Sequence, residues 1–339
     1  MSCDELSVFH LHPLQRCNLR CLHCYSESSP QASATLPLPL ALHAVTLAAR
    51  WGYRSLALSG GEPLLYPGLA TLLEHGKHVG LSTSLVTNGL LCRTVEQIGK
   101  LRHADTVTVS LDGLAKQHDH MRGRVGAFAG AADAVRRLAD AGINTWVACS
   151  VGASNVGDIE EIAALAACWG AQGIAFHLVE PAGRAANLSR DAFLSGDERE
   201  LLYVTAALLA ALQRTSIAIR VDLLHRDIIL KQPSLIYAPP GKPCNSTPSS
   251  TIRVLIMYPD GRLIPICHGF HDRFALGRLD HNIDPTRMWD TFLGQTYPAI
   301  TALGQAALDE LRRDESIRVL NPGDWLAERS HAFPSIASG

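Results

Sequence analysis

Short apolar segments of high β propensity alternate with longer amphipathic segments over the first two thirds of the chain, and this alternation limits its fold most strongly. The short segments, such as Ser55–Leu58 and Val107–Val109, are nearly continuous apolar runs, which is typical of strands buried on both faces. Strands that alternate with helices in this way predict parallel βαβ units. Six such units are too few for a closed eight-stranded barrel, so we expect an α/β fold built as an open, partial (β/α)6 barrel.

The predicted elements of this barrel can be placed approximately along the chain. The strands are expected near residues 7–12, 55–59, 82–87, 105–111, 144–151 and 173–179, and the helices near 39–51, 68–79, 94–101, 127–141, 158–169 and 196–214. In parallel sheets of this kind, ligands bind at the carboxyl ends of the strands. Side chains that follow these strands are therefore the first candidates for a functional site.

The pattern changes after about residue 215, which divides the chain into a predicted barrel domain (1–215) and a small α+β extension (216–339) that we expect to be a separate appendage. Within the extension, Pro259-Asp260-Gly261 predicts the turn of a β-hairpin. A strand is predicted at 216–223, and the two arms of the hairpin are predicted at 251–258 and 262–266. From about residue 305 onward we expect a single helix and then an irregular end.

Composition excludes several classes of protein. The 339 residues carry 30 basic and 32 acidic side chains, for a net charge of −2, and without a basic stripe we expect no nucleic-acid partner. We find no apolar run of the length that spans a membrane, and the first residues lack the features of a secretion signal, so a cytoplasmic location is expected. Nine cysteines, an odd number, argue against a disulfide framework and favour metal or catalytic roles.

Three of these cysteines lie close together directly after the first predicted strand. Cys17, Cys21 and Cys24 are separated by four and three positions, so one loop can bring them to a single metal centre. Iron–sulfur clusters are held by cysteine thiolates, usually four, and three thiolates would leave one iron of a four-iron cluster open to a ligand. The alternatives are a structural zinc site completed by His23, or three unrelated core cysteines.

Further motifs follow the later strands, each at the end of its own strand. They are Ser59–Pro63, Thr87–Gly89, Ser110–Gly113, the stretch His118–Gly123, and Pro181–Arg184. Together with the cysteine triplet, they resemble the radical S-adenosylmethionine (SAM) superfamily over about residues 7–190. His23 stands where most members of that family have another aromatic residue before the third cysteine.

The resemblance implies both cofactors and their ligands. A [4Fe–4S] cluster is expected on Cys17, Cys21 and Cys24. Reductive cleavage of SAM at this cluster would give a 5′-deoxyadenosyl radical that abstracts hydrogen from a substrate, with electrons from a low-potential donor such as ferredoxin or flavodoxin. Ser59–Pro63 looks like the family's motif for the methionine amino group. The SAM-binding residues implied are His23, Gly60, Gly61, Glu62, Pro63, Asn88, Ser110, Asp112, Arg122 and Val179.

The extension carries two further cysteines that bracket the predicted hairpin, Cys244 and Cys267. They resemble the start of the SPASM or twitch extension, which holds auxiliary iron–sulfur clusters. A full extension has more cysteines than these two. An auxiliary cluster would therefore need other ligands, such as His268 or His271, and the alternative is a hairpin scaffold without metal.

The stretch after the fourth strand and the truncated extension resemble peptide-modifying members of the superfamily. This resemblance implies a ribosomally made precursor peptide as substrate, which would be crosslinked, cyclised or epimerised. A radical SAM enzyme of cofactor or small-molecule biosynthesis is the alternative, and a non-enzymatic metal-binding module is a distant one.

Several other residues could carry chemistry but have simpler interpretations. We expect Cys149 and Cys168 to pack in the core and Cys3 to lie in a loose terminus. Cys92 is also expected to be structural, although a thiol facing the cavity could return a hydrogen atom to a substrate radical. His10 and His12 are expected to be ordinary hydrogen-bonded histidines.

Overall fold

A computed structural model describes residues 7–212, 215–236 and 247–333. Seven parallel strands form the centre of its main sheet, in the order in which they occur in the chain. They are β1 (Val8–Leu11), β2 (Ser55–Leu58), β3 (Ser82–Thr87), β4 (Thr106–Ser110), β5 (Thr145–Val151), β6 (Gly173–Leu178) and β7 (Ala218–Val221). The α/β fold expected from the alternating pattern is confirmed.

Helices connect these strands, as parallel pairing requires. They are α1 (Leu38–Arg50), α2 (Leu69–His78), α3 (Val95–Gly99), α4 (Ala115–Arg122), α5 (Ala127–Asp140), α6 (Ile159–Cys168) and α7 (Gly196–Ala211). Helix α5 shows how sequence positions them, because Ala131, Val135 and Leu138 are buried on one face while its charged residues are exposed. Helix α7 begins with a capping box in which Ser195 and Glu198 satisfy each other's backbone N–H groups.

The C-terminal segment extends the main sheet, contrary to our expectation of a separate appendage. Strand β9 (Val254–Met257) pairs in parallel with β1, so β1 lies between β2 and β9. The predicted hairpin is present, since β10 (Arg262–Pro265) pairs antiparallel with β9 and is followed by β11 (Gly277–Arg278). The last strands of this sheet are thus contributed by residues far from β1 in sequence.

The end of the chain holds more structure than the single helix expected there. Helix α11 (Tyr297–Arg313) packs against α12 (Pro322–Ala332), and short strand β12 (Val319–Leu320) pairs with β8 (Leu224–His225). The remaining helices are α8 (Arg226–Lys231), α9 (Pro248–Thr251) and α10 (Pro285–Thr291). The sequence does contain a signal for α12, because Pro322 lies in its first turn and proline is favoured at that position of a helix.

The core of the protein runs through both parts of the chain. Phe9 on β1, Phe176 on β6 and Phe292 before α11 are among its largest fully buried side chains, and all belong to one apolar cluster. Among the described residues, no helix is both long enough and apolar enough to cross a bilayer. The strands of the main sheet end in loops above this continuous core, and the predicted motifs occupy these loops.

Candidate active site

A cavity of about 770 Å³ lies at the carboxyl ends of the parallel strands. Its wall includes the three cysteines of the triplet and most of the predicted SAM-binding residues. Those that line it are His23, Gly60, Gly61, Glu62, Asn88, Ser110, Arg122 and Val179. Residues that are widely separated in the sequence therefore meet at one site, as expected because ligands bind at the carboxyl ends of parallel strands.

The three thiols occupy one wall of this cavity and have only weak protein partners. Sγ of Cys17 accepts from the Leu19 amide at 3.4 Å, and Sγ of Cys24 lies 3.4 Å from Oγ of Ser26. Burial raises the pKa of Cys17 to about 12 and also raises the pKa of Cys21, an effect that the nearby Arg122 opposes. Because thiolates bind metal and thiols do not, a metal centre would supply the charge that makes these three groups ionise.

Glu62 is buried at the end of β2, and its carboxylate is fixed by the end of β3. Oε1 accepts from Oγ1 of Thr87 at 2.8 Å, and Oε2 accepts from the Asn88 amide at 2.9 Å. Burial raises the pKa of Glu62, and these hydrogen bonds partly offset that effect. The carboxylate keeps a defined position on the cavity wall, where an ammonium group could approach it.

The two glycines before Glu62 allow close contact between two loops. A Cβ on Gly61 would lie 2.1 Å from the carbonyl oxygen of Arg16, next to Cys17. In addition, Gly60 has a φ of +94°, which side chains disfavour. These glycines therefore admit the backbone of the cysteine loop, which a side chain at either position would displace.

Asp112 lies behind the cavity wall and does not line the cavity itself. Its Oδ2 forms an ion pair with Nε of Arg122 at 2.6 Å and lies 3.2 Å from Nε2 of His23. Although burial disfavours its charged form, these two neighbours hold the pKa of Asp112 well below its usual range. Asp112 thus positions two side chains that do face the cavity, and a direct contact between Asp112 and SAM stays a prediction.

These residues fit an iron–sulfur cluster and SAM. Three cysteine sulfurs on one wall are the donor set that iron–sulfur clusters use. Nδ1 of His23, on the same wall, is buried and has no hydrogen-bond partner among the described residues. A ligand in the cavity would supply that partner. Pro63 begins a short 3₁₀ helix and does not line the cavity.

Comparison with known proteins agrees with this geometry. Residues 11–166 match the profile of the Radical SAM superfamily. The chain carries a radical SAM domain. Domains of this superfamily hold a [4Fe–4S] cluster and bind SAM, so the cofactors expected from the cysteine triplet are those of the matched family. The match runs from the last residue of β1 into α6 and includes the cysteine triplet and the Ser59–Pro63 motif.

Two curated relatives share the radical SAM region. The antilisterial bacteriocin subtilosin biosynthesis protein AlbA of Bacillus subtilis is 31% identical over 176 residues, which cover 51% of this chain and 39% of AlbA. The AdoMet-dependent heme synthase of Methanosarcina barkeri is 36% identical over 174 residues, which cover 50% of this chain and 49% of the synthase. The chain thus spans less than half the length of each of these relatives.

The fold of the domain also occurs in a solved structure. Streptococcus suis SuiB, bound to its precursor peptide SuiA, superposes with a TM-score of 0.58 and 15% sequence identity, covering 76% of this chain and 58% of SuiB. At this identity the likeness concerns the fold alone. It supports the arrangement of parallel strands around the cavity.

The structure adds residues that sequence analysis did not assign to the site. Arg184, in the motif after β6, donates from Nε to the carbonyl oxygen of Cys21 at 2.8 Å and so fixes the cysteine loop. The cavity wall also carries three carboxylates, Glu180, Asp222 and Asp324, and Asp222 is hydrogen-bonded to His177. Asp324 comes from the C-terminal segment, so no local sequence signal could have placed it here.

The remaining cysteines differ in their environments. Cys149 is buried on β5 as expected, whereas Cys168 is exposed at the end of α6, so our expectation of core packing was wrong there. Cys92 is buried in the apolar core and does not line the cavity, which removes the geometric basis for a hydrogen-atom donor. Cys3 lies outside the described residues.

One of the two cysteines suggested for an auxiliary cluster has a protein hydrogen-bond partner. Sγ of Cys267 is 3.2 Å from the carbonyl oxygen of Gly323, to which it donates a hydrogen bond, and Cys244 lies outside the described residues. His271 accepts from the Arg273 amide and has no place in the cavity wall. The contact of Cys267 favours the metal-free scaffold, and the auxiliary site stays a prediction.

Proposed function

We propose that this protein is a radical SAM enzyme that modifies a ribosomally made peptide. Cys17, Cys21 and Cys24 would hold the [4Fe–4S] cluster, and Glu62 with the adjoining strand ends would bind SAM. When bound, these cofactors supply a 5′-deoxyadenosyl radical that abstracts hydrogen from the substrate. The observation that carries the proposal is that the three thiols and Glu62 line the same cavity at the strand ends.

In this scheme the residues of the chain bind and orient the cofactors and shield them from water. Glu62 is fixed by two hydrogen bonds from the end of β3 and offers a charge to the methionine ammonium of SAM. Arg122 lies 3.8 Å from Sγ of Cys21 and offers positive charge beside the thiolates. The loops after β2 and β6 pack on the cysteine loop through Gly61 and Arg184, and such packing limits access of water to a reactive site.

Glu180, Asp222 and Asp324 on the cavity wall favour a substrate that carries polar groups. Burial and the neighbouring carboxylates raise the pKa of Glu180 and of Asp324, so a proton held between them can be donated in a hydrogen bond. The cavity volume of about 770 Å³ lies in the upper part of the range for small-molecule sites, about 300–1,000 Å³. We infer that one residue of a peptide enters beside SAM while the rest of the peptide stays outside.

The relatives support a peptide as substrate. AlbA is named for the biosynthesis of the bacteriocin subtilosin, and SuiB was solved with its precursor peptide. The heme synthase, at 36% identity, favours a second candidate, a radical SAM enzyme of cofactor biosynthesis. The second candidate predicts that a tetrapyrrole or another small cofactor precursor, and no peptide, is consumed.

Turnover with candidate substrates distinguishes a peptide-modifying enzyme from an enzyme of cofactor biosynthesis. The anaerobically reconstituted protein would be given SAM, a strong reductant and the short peptides encoded beside its gene, in water and in D2O. We expect one peptide to lose hydrogen, as in crosslinking, or to gain deuterium, as in epimerisation, and the Cys21→Ala variant to leave it unchanged. Consumption of a tetrapyrrole with every peptide unchanged would contradict the peptide proposal and favour the second candidate.

We further propose a low-potential ferredoxin or flavodoxin as electron donor and a cytoplasmic location. The donor follows from the proposed reaction, because the cluster must be reduced before it can cleave SAM. The location follows from the cysteine loop, because cysteines stay unpaired in a reducing compartment. A donor protein that replaces the chemical reductant in the turnover assay would support this assignment.

A further inference from the structure

Three histidines meet beside the cavity, outside the residues assigned to the cluster or to SAM. His10 lies on β1, His12 follows β1, and His268 follows β10. One ring nitrogen from each histidine lies within 4.8 Å of those of the other two. Nδ1 of His10 is 3.1 Å from Nε2 of His268, and the rings of His12 and His268 stack with their centroids 4.7 Å apart.

These imidazoles are poised to bind a cation more readily than to carry charge themselves. Burial lowers the pKa of His10 to about 4 and lowers that of His12 and His268 as well, so each ring presents a nitrogen lone pair at neutral pH. Nδ1 of His10 and Nε2 of His268 are the nitrogens of these two rings that face each other, and Nδ1 of His268 is buried without a hydrogen-bond partner among the described residues.

We propose that His10, His12 and His268 bind one divalent transition-metal ion, with Zn²⁺ or Fe²⁺ as the class that suits three imidazoles. Around a tetrahedral zinc, with Zn–N bonds of about 2.0–2.1 Å, the three nitrogens would be about 3.4 Å apart. The separation of 3.1 Å between His10 and His268 is close to this value. Small rotations of the other ring would complete the site.

The surroundings of the triad resemble those of metal-bound histidines. A ligating histidine normally uses its second ring nitrogen in a hydrogen bond that fixes the ring. Nε2 of His10 is 2.6 Å from Oγ of Ser59, and Nε2 of His12 is 3.5 Å from the hydroxyl of Tyr25. Ser59 precedes the two glycines and Tyr25 follows Cys24, so the metal would adjoin both loops of the SAM site.

The position of the triad also determines what the metal would do. His10 and His268 line the large cavity, whereas His12 lines a smaller adjoining cavity. Three protein ligands leave at least one coordination position for a water molecule or a substrate oxygen, as in catalytic zinc sites. The metal would therefore bind a carboxylate or carbonyl oxygen of the substrate. This inference holds for a peptide or a small molecule and does not depend on the proposed function.

The metal itself provides the test. Protein with its iron–sulfur cluster assembled would receive one equivalent of Zn²⁺ under anaerobic conditions, pass through a desalting column and be analysed by elemental analysis and zinc X-ray absorption. We expect one retained zinc per chain, with nitrogen or oxygen neighbours at about 2.0–2.1 Å and no sulfur at about 2.3 Å. Absence of retained zinc, or a sulfur shell that places zinc on the cysteine loop, would overturn the proposal.

Variants make the test specific to these rings. We expect His12→Ala and His268→Ala each to reduce retained zinc at least tenfold, while iron content and the absorbance of the assembled cluster show that the fold is intact. His78→Ala, at an exposed histidine on α2, serves as the matched control and should retain zinc. Unchanged zinc in both triad variants would refute the site, and if a variant fails to fold, the absorption measurement on the unaltered protein decides.

Discussion

At the scale of single residues, the charges of the site are held by pairs that span different strand ends. Asp112 after β4 neutralises Arg122 on α4 and contacts His23 in the cysteine loop. The sequence identified all three as site residues because they resemble a family motif. It could not show that Asp112 acts through the other two, because that depends on how the loops place both side chains against Oδ2 of Asp112.

Asp112→Asn tests this positioning role. The change leaves Arg122 buried without a full counter-charge, and breaking a buried ion pair from one side costs about 3–5 kcal/mol. Asp133→Asn is the matched control, because its ion pair with Arg137 at 2.9 Å is about half exposed on both sides and should contribute at most about 1 kcal/mol. Urea unfolding of the two variants measures the difference, and equal losses would contradict the role of Asp112.

The same variant has a defined dependence on pH. Because the pKa of Asp112 is depressed in the folded protein, its contribution to stability is present above the unfolded value, about 3.9, and is lost as the pH falls through the lower folded value. The stability difference between the wild type and Asp112→Asn should therefore be constant from neutral pH down to about 5 and shrink only below about 4.

Glu62→Gln tests the predicted contact with SAM. Loss of a charge-assisted hydrogen bond weakens binding by about 1.5–3 kcal/mol, or roughly ten- to a hundredfold in Kd, while iron content should remain unchanged. Equilibrium binding of SAM to the reconstituted protein measures this effect. Glu74→Gln, at an exposed glutamate on α2, is the control, and equal affinity in both variants would remove Glu62 from the SAM site.

At the scale of elements, the site depends on loops that touch one another at the strand ends. The positions of β1 to β6 were predictable to within a residue or two, because continuous apolar runs and helical periodicity mark them independently of the rest of the chain. The joining of β9 to β1 was not predictable. It pairs Val8 with Val254, and contacts so distant in sequence leave no periodic signal.

Gly61→Ala tests the contact between the loop after β2 and the cysteine loop. Its methyl group would meet the backbone of Arg16, which cannot rotate away as a side chain would, so we expect a loss of about 1–3 kcal/mol or more in stability and a lower iron content after reconstitution. Gly99→Ala on α3 has no atom within 4 Å of the added carbon and is the control. A Gly61→Ala protein that assembles its cluster as well as the control would contradict this packing.

The contact of the loop after β6 with α12 is also testable through pH. Because burial and Glu180 raise the pKa of Asp324, the folded state disfavours its ionised form. The contribution of Asp324 to stability should be greatest below the unfolded value, about 3.9, and decline as the pH rises through the folded value. Asp324→Asn removes this decline, so its melting temperature should fall less than that of the wild type between pH 5 and 9. Parallel pH profiles would contradict the assignment.

At the scale of the whole molecule, one sheet unites the radical SAM domain and the C-terminal segment around a shared cavity. The cysteine triplet and the motifs after it were predictable from the sequence, because each is local in sequence and lies at a strand end. The carboxylates of the cavity wall were not predictable, because Glu180 and Asp324 are separated by most of the C-terminal segment. The same holds for the histidine triad, in which His10 and His268 come together only through the pairing of β1 with β9.

The central claim is that Cys17, Cys21 and Cys24 hold the cluster at which SAM is cleaved. The most direct measurement is the formation of 5′-deoxyadenosine from SAM by anaerobically reconstituted protein with a strong reductant, compared between the wild type, Cys21→Ala and Cys168→Ala. Cys21 lines the cavity and Cys168 is exposed on α6. We predict that Cys21→Ala abolishes 5′-deoxyadenosine and that Cys168→Ala retains it. Full formation of 5′-deoxyadenosine by Cys21→Ala would contradict the claim.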